Sequence, residues 1–135
     1  MDFDREVSSV AMEASEKLPP TTETPVVQTD KIYELARLSP RGAVLEAWID
    51  VETALEAAAK RYGLVDETTN TFHSRNVIFK LEVSSKIGRG VVEMFEKLRR
   101  LRNDAVHLKE NSIDPKSAID FVNIANRIVK SFEEA

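Results

Sequence analysis

The sequence predicts an all-α domain: an antiparallel bundle of four main helices preceded by a short N-terminal helix. Three observations carry this prediction. Apolar residues recur at helical spacing through every long segment. The β-branched runs are short and always fall on such a stripe, so no strand is expected. Serine, aspartate, proline and glycine stand where helices need to start or stop. With 135 residues the chain is long enough for one modest domain. No internal repeat is visible.

Taken in order, residues 1–30 look like a flexible tail and linker. Val7 to Leu18 could form a short helix, but LPPTTETPVVQTD after it is rich in proline and threonine and has no helical period. The ordered domain, residues 31–135, is expected to begin with a short helix over KIYELARL, capped by Asp30. Ser39-Pro40 restarts the chain with a serine cap and proline at the first helical position. The longest helix follows, from Pro40 to Tyr62, with Val44, Trp48, Val51, Leu55, Ala59 and Tyr62 on one stripe and Gly63 as its stop. VDETTNTFHS is a polar loop. A helix over Ser74 to Lys86 places Val77, Ile78 and Leu81 inward, and IGRG breaks it. The next helix, Gly90 to Leu108, turns Val91, Met94, Phe95, Leu98, Leu101 and Ala105 inward. Asp114-Pro115 caps a last helix whose stripe runs Ala118, Phe121, Val122, Ala125, Ile128, Val129, Phe132.

Composition excludes several function classes. There is no cysteine, so a disulfide scaffold, a cysteine-held zinc and a cysteine nucleophile are ruled out. This fits a reducing cytosol, and a cytoplasmic protein is the expectation. No apolar run approaches the roughly 20 residues of a membrane span, and the N-terminus lacks the pattern of a signal peptide. A membrane anchor in a longer parent chain stays open. The net charge of −4 argues against a general nucleic-acid binder. The charge is uneven, however. Arg75 to Lys109 carries nine bases against four acids, a net of +5 inside an acidic chain. That segment is either a solvated, salt-bridged helix face or a local phosphate-binding patch with Arg99, Arg100 and Lys109 as contacts.

Two charges fall where core residues belong. On a helical wheel at about 100° per residue, Arg102 lies about 40° from Leu98, inside the apolar arc shared with Ala105 and Phe95. On the long helix, Glu52 lies about 40° from Trp48, again inside the apolar arc. A charge there is costly unless it is paired and hydrogen-bonded. The economical expectation is that Glu52 and Arg102 meet across the helix interface as a structural ion pair. Alternatively, Arg102 reaches out from the core edge. His107 shares a face with Asn103, four residues before it. It is about 140° from Arg102, so the two converge only over the helix end or when two copies meet.

Arg102 to His107, R-N-D-A-V-H, resembles the R-x4-H signature of the HEPN (higher eukaryotes and prokaryotes nucleotide-binding) superfamily. The polar residue after the arginine also matches. SPRGAVLEAWIDVETAL, LRRLRNDAVH and DPKSAIDFVNIANRIV are similar to the pattern of an uncharacterised prokaryotic group within it. The likeness covers residues 31–135. It implies a helical bundle that forms a homodimer through the motif-bearing helices, with two motifs lining a cleft at the two-fold axis. Active members are metal-independent endoribonucleases that serve as toxins, in antiphage defence or in RNA processing. Others are non-catalytic dimerisation or interaction modules. Carried over by position, Arg102 and His107 would be the catalytic pair and Asn103 the supporting polar residue, with Asp104 and, more loosely, Glu52 as helpers. An antitoxin or other regulatory protein is an implied partner. Some members carry a tyrosine shortly after the histidine, modified by a partner enzyme. Here His107-Leu108-Lys109 has none, so that form of control is not implied.

The implied chemistry is self-consistent. RNA cleavage without metal uses the 2′-hydroxyl as internal nucleophile, a general base to deprotonate it and a general acid for the departing 5′-oxygen. Unperturbed histidine titrates at about pH 6.5 and suits either role. Arginine can hold the phosphoryl oxygens in bidentate geometry. The need for a 2′-hydroxyl excludes DNA as a substrate. Other sites are weak. Two histidines without cysteine give no metal-ligand spacing, so no metal or other cofactor is expected. His73 reads as a solvated loop residue and Gly88-Arg89-Gly90 as a helix break, not a phosphate loop. No serine–histidine–acid set can be argued from spacing. Trp48, Phe95 and Tyr62 sit on helical stripes and read as core, not as base-stacking platforms.

Overall fold

A computed structural model describes residues 3–18, 26–65, 73–109 and 112–135. The described residues are all-helical and contain no strand. Six helices are present among them: α1 (Phe3–Lys17), α2 (Val26–Leu38), α3 (Pro40–Arg61), α4 (Ser74–Val83), α5 (Arg89–His107) and α6 (Pro115–Glu134). The proline-rich linker at 19–25 and the loop at 66–72 lie outside the described residues.

The local signals hold at several ends. The Ser39 hydroxyl accepts from the Gly42 amide at 3.1 Å, with Pro40 opening α3. Asp114 accepts from the Lys116 amide at 3.0 Å, with Pro115 opening α6. Gly63 ends the long helix at φ 66, a conformation glycine adopts without steric cost. Asp30, in contrast, is not a cap. α2 starts at Val26 and runs through it.

The first correction concerns residues 1–30. They are not simply a tail, because α1 belongs to the core. Phe3, Val7, Val10 and Ala14 form a buried stripe at helical spacing, and Leu18 extends it. α1 packs against α5 and α6.

The second correction concerns helix direction. Arg61, at the end of α3, donates to the Phe132 carbonyl at 2.6 Å near the end of α6. Arg41, at the start of α3, donates to the Leu108 carbonyl at 2.7 Å, just past the end of α5. The most extensively packed pair, α3 and α6, therefore runs in one direction and α5 runs against α3. This is not a simple up-and-down bundle. α4, at 10 residues and about 15 Å, is less than half as long as α3 and does not cross back. It bridges the end of α3 to the start of α5, and α1 takes the place beside α5. α4 also stops at Val83, short of Lys86, with Ser85 in the left-handed region at φ 60.

Arginines close the helix ends. Arg41 binds the carbonyl after α5, Arg61 a carbonyl in the last turn of α6, and Arg127 the Leu18 carbonyl just past α1 at 2.7 Å. Each places a cation at the negative end of a helix dipole and satisfies an orphan carbonyl.

Candidate functional site

The site is built where α3 and α5 lie side by side. Trp48 of α3 and Phe95 of α5 pack with their rings tilted by 33° and centroids 5.2 Å apart, and Phe95 meets Phe132 edge-on at 6.0 Å. Both Trp48 and Phe95 are buried, as the stripes predict. Tyr62 departs from that prediction. It is half-exposed at the end of α3, with the Lys86 ammonium 5.0 Å from its ring.

Arg102 lies on this aromatic layer, its guanidinium carbon 5.6 Å from the Trp48 ring centroid. It makes no ion pair with Glu52, which is exposed. The expected Glu52–Arg102 pair is thus not formed. The reason is register. The contacts Arg41–Leu108 and Trp48–Arg102 set Arg102 opposite Trp48, and Glu52 sits one turn, about 5.4 Å, further along α3. Glu52 is moreover turned to solvent, so the place in the apolar arc expected of it does not hold in the structure, whereas Arg102 is half-buried as expected.

The orientation of Arg102 is specific. Its Nε, like that of Arg99, is buried without a hydrogen-bond acceptor, whereas both Nη nitrogens reach solvent and make no hydrogen bond among the described residues. Arg99, one turn earlier on the same side, differs because its Nη2 pairs with Glu96 at 3.4 Å.

The remaining sequence-predicted residues spread around α5. His107 is the last residue of the helix and is exposed. Asn103 lies one turn before it on the same outward strip. Arg100 and Asp104 turn toward α1. There they line a cleft of about 320 Å³ together with Glu6, Glu13 and Lys97. Lys109 is exposed beyond the helix end. Asn103 and His107 are therefore brought together, while Arg102 faces another side of the same helix. His73 is an exposed residue at the start of α4.

Sequence reasoning missed two residues that shape this region. Trp48 is the platform for Arg102, a role hidden behind its place on an ordinary apolar stripe. Arg41 ties down the carbonyl that follows His107, and no local pattern announces a contact between residues 67 positions apart. Among the described residues, no three His, Asp or Glu side chains gather to hold a metal ion. No helix of the described residues is long and apolar enough to cross a membrane. No family model, no curated protein and no solved structure matches the chain.

Proposed function

We propose that the chain is an RNA-binding domain of the HEPN type that acts as a homodimer and cleaves RNA without a metal. The observation that supports this reading best is Arg102. It is a half-buried arginine seated on Trp48, with its Nη edge open and no carboxylate partner, on the same helix as an exposed histidine. A guanidinium in that state is set to receive an oxyanion. Within one chain Arg102 and His107 diverge by about 140°, so a second copy completes the site. In it, one His107 takes the proton of the 2′-hydroxyl as that oxygen attacks phosphorus. The His107 of the other copy protonates the departing 5′-oxygen. Arg102 holds the phosphoryl oxygens and Asn103 orients the histidine on its own face. The products are a 2′,3′-cyclic phosphate and a free 5′-hydroxyl.

A second reading, a non-catalytic dimerisation module, is favoured by the apolar residues beside Arg102. Val106, one turn beyond it, is 44% exposed, and Ile49, next to Trp48, is 53% exposed. One experiment separates the two readings. The purified protein is incubated with varied RNAs in chelator, beside Arg102→Ala and His107→Ala variants checked for folding. Cleavage to cyclic-phosphate ends, lost in both variants, supports the ribonuclease. Intact RNA throughout, with a dimer that Val106→Glu dissociates, supports the module. The toxin, defence or processing setting and any antitoxin are carried only by the HEPN resemblance.

A further inference from the structure

We infer that Trp48 is a positioning residue: its indole face fixes the Arg102 guanidinium so that the Nη edge, not Nε, meets an oxyanion at the α3–α5 surface. The inference rests on the anion-binding role proposed for Arg102.

The other half-buried arginines are all held by oxygens. Arg41 and Arg127 donate to carbonyls of neighbouring helix ends, and Arg99 pairs with Glu96. Each is oriented by an oxygen and spends donors on it. Arg102 makes no hydrogen bond or ion pair among the described residues, and its described contact is the Trp48 ring. A cation on an aromatic face is held by the ring quadrupole, and that attraction consumes no N–H group. The ring therefore orients the guanidinium and leaves its donors available. The Nε of Arg102 is buried without an acceptor, as is that of Arg99, so what sets Arg102 apart is the ring beneath it and the far edge left unpaired. An arginine paired with Glu52 would present a neutralised fork. Seated on tryptophan, it presents a charged one.

The platform is itself held. Trp48 is 3% exposed and packs on Phe95, which packs against Phe132. Rotation of the indole would break its contact with Phe95, so the surface under Arg102 is fixed by the core. Arg102 cannot swing toward solvent without losing the ring, and this restriction lowers the ordering cost of binding.

Trp48 is the one tryptophan of the chain, and it lies against the proposed ligand-binding cation, so its fluorescence reports on the site directly. Wild type, Trp48→Phe, Trp48→Leu, Arg102→Ala and the Trp48→Leu/Arg102→Ala double variant would be titrated with single-stranded RNA and, separately, with inorganic phosphate. Helicity is checked for each. Binding is followed by the NMR signals of the arginine Nε–H groups, and for the tryptophan-containing proteins also by fluorescence. The Trp48→Leu substitution should weaken both ligands about tenfold, while Trp48→Phe should retain most of the affinity. In wild type the Arg102 Nε–H signal should be shifted upfield by the indole, and it should lose that shift in Trp48→Leu. The Trp48→Leu change should cost nothing further once Arg102 is alanine. Phosphate binding with this pattern but no RNA binding would keep the positioning role and overturn the RNA reading. A folded Trp48→Leu with wild-type affinity, an unshifted Arg102 signal in wild type, or additive losses in the double variant would overturn the positioning role itself. So would the failure of wild type to bind either ligand.

Discussion

Lys97 and Arg102 sit five residues apart on α5, and the structure treats them in opposite ways. Lys97 faces α1, where Glu13 binds it and Glu13 also meets Lys17 at 3.1 Å. Lys17 in turn reaches Glu93 on α5. Cations and carboxylates alternate across that interface, and the charge is used up in docking one helix on another. Arg102 faces α3, where an indole takes the place of a carboxylate. The α1 side of α5 is thus a structural seam. The α3 side keeps the Arg102 cation without an ion-pair partner among the described residues, on a surface that also carries the exposed apolar side chains Ile49 and Val106. Basic residues alone do not mark a binding surface. What marks one is a cation that the fold orients without neutralising.

The largest expected effect tests whether the α1 seam is structural. Val7 is fully buried between α1 and the rest of the core. Val7→Asp places a charge there with no partner, and a loss of about 3 kcal/mol or more is expected in urea unfolding. If residues 1–18 were a dispensable tail, the unfolding curve would not move. On the other side, Arg102→Ala should cost only about 1 kcal/mol, the contact with Trp48 and the packed stem, since no ion pair is lost. On the proposed ribonuclease reading it should reduce RNA cleavage by at least about a hundredfold, the cost of removing one preorganised donor to the transition state. Lys97→Ala should do the reverse, weakening α1 docking and leaving cleavage within about twofold, a bound set by its place in the other seam.

Gly90 offers a subtler test. A Cβ there would meet the Lys17 carbonyl oxygen at 2.6 Å, and that oxygen is backbone. Gly90→Ala should push the end of α1 off α5 at a cost of about 1–3 kcal/mol, while the RNA binding proposed for Arg102, three turns away, should persist. Loss of both together would mean that the two sides of α5 are coupled. Acid should act on the same seam. Hydrogen bonding to Lys97 and then Lys17 holds the Glu13 carboxyl below its usual range, and Lys17 does the same for Glu93. Carboxylates depressed in the folded state contribute stability above their unfolded values and lose it as pH falls through the folded ones. The raised Lys17 adds a contribution that persists until strongly alkaline pH. The amide signals of α1 should therefore broaden or shift below about pH 4, ahead of those around Arg102. Simultaneous loss would remove the distinction between the two seams.

Much of this was legible in the sequence, and the exceptions share a cause. Helix existence, the caps at Ser39 and Asp114 and the inward stripe of α5 depend on residues within a turn or two of each other, so periodicity reveals them. Arg102 was legible as an anomaly for the same reason. What it touches was not, because a wheel gives angle but not the axial offset between two helices. That offset decides for Trp48 and against Glu52. The arginine caps bridge residues 67, 71 and 109 positions apart, where no local pattern can exist. The role of α1 was obscured by the proline-rich stretch after it, which suggests a tail although the stripe from Phe3 to Leu18 is continuous.

The smallest expected effect is the sharpest test of the α3 side. Glu52 and Arg102 are the two charges that a reading of either helix alone would pair. If they were an ion pair, Glu52→Gln would leave a half-buried cation unpartnered and cost a few kcal/mol. With Glu52 exposed and one turn off register, Glu52→Gln should change stability by no more than about 0.5 kcal/mol. It also removes a negative charge near the arginine proposed to bind an anion, so RNA affinity should rise slightly at low salt, a gain that shrinks as added salt screens the charge. A marked loss of stability would place the carboxylate on Arg102 in solution, and the difference between Lys97 and Arg102 would disappear with it.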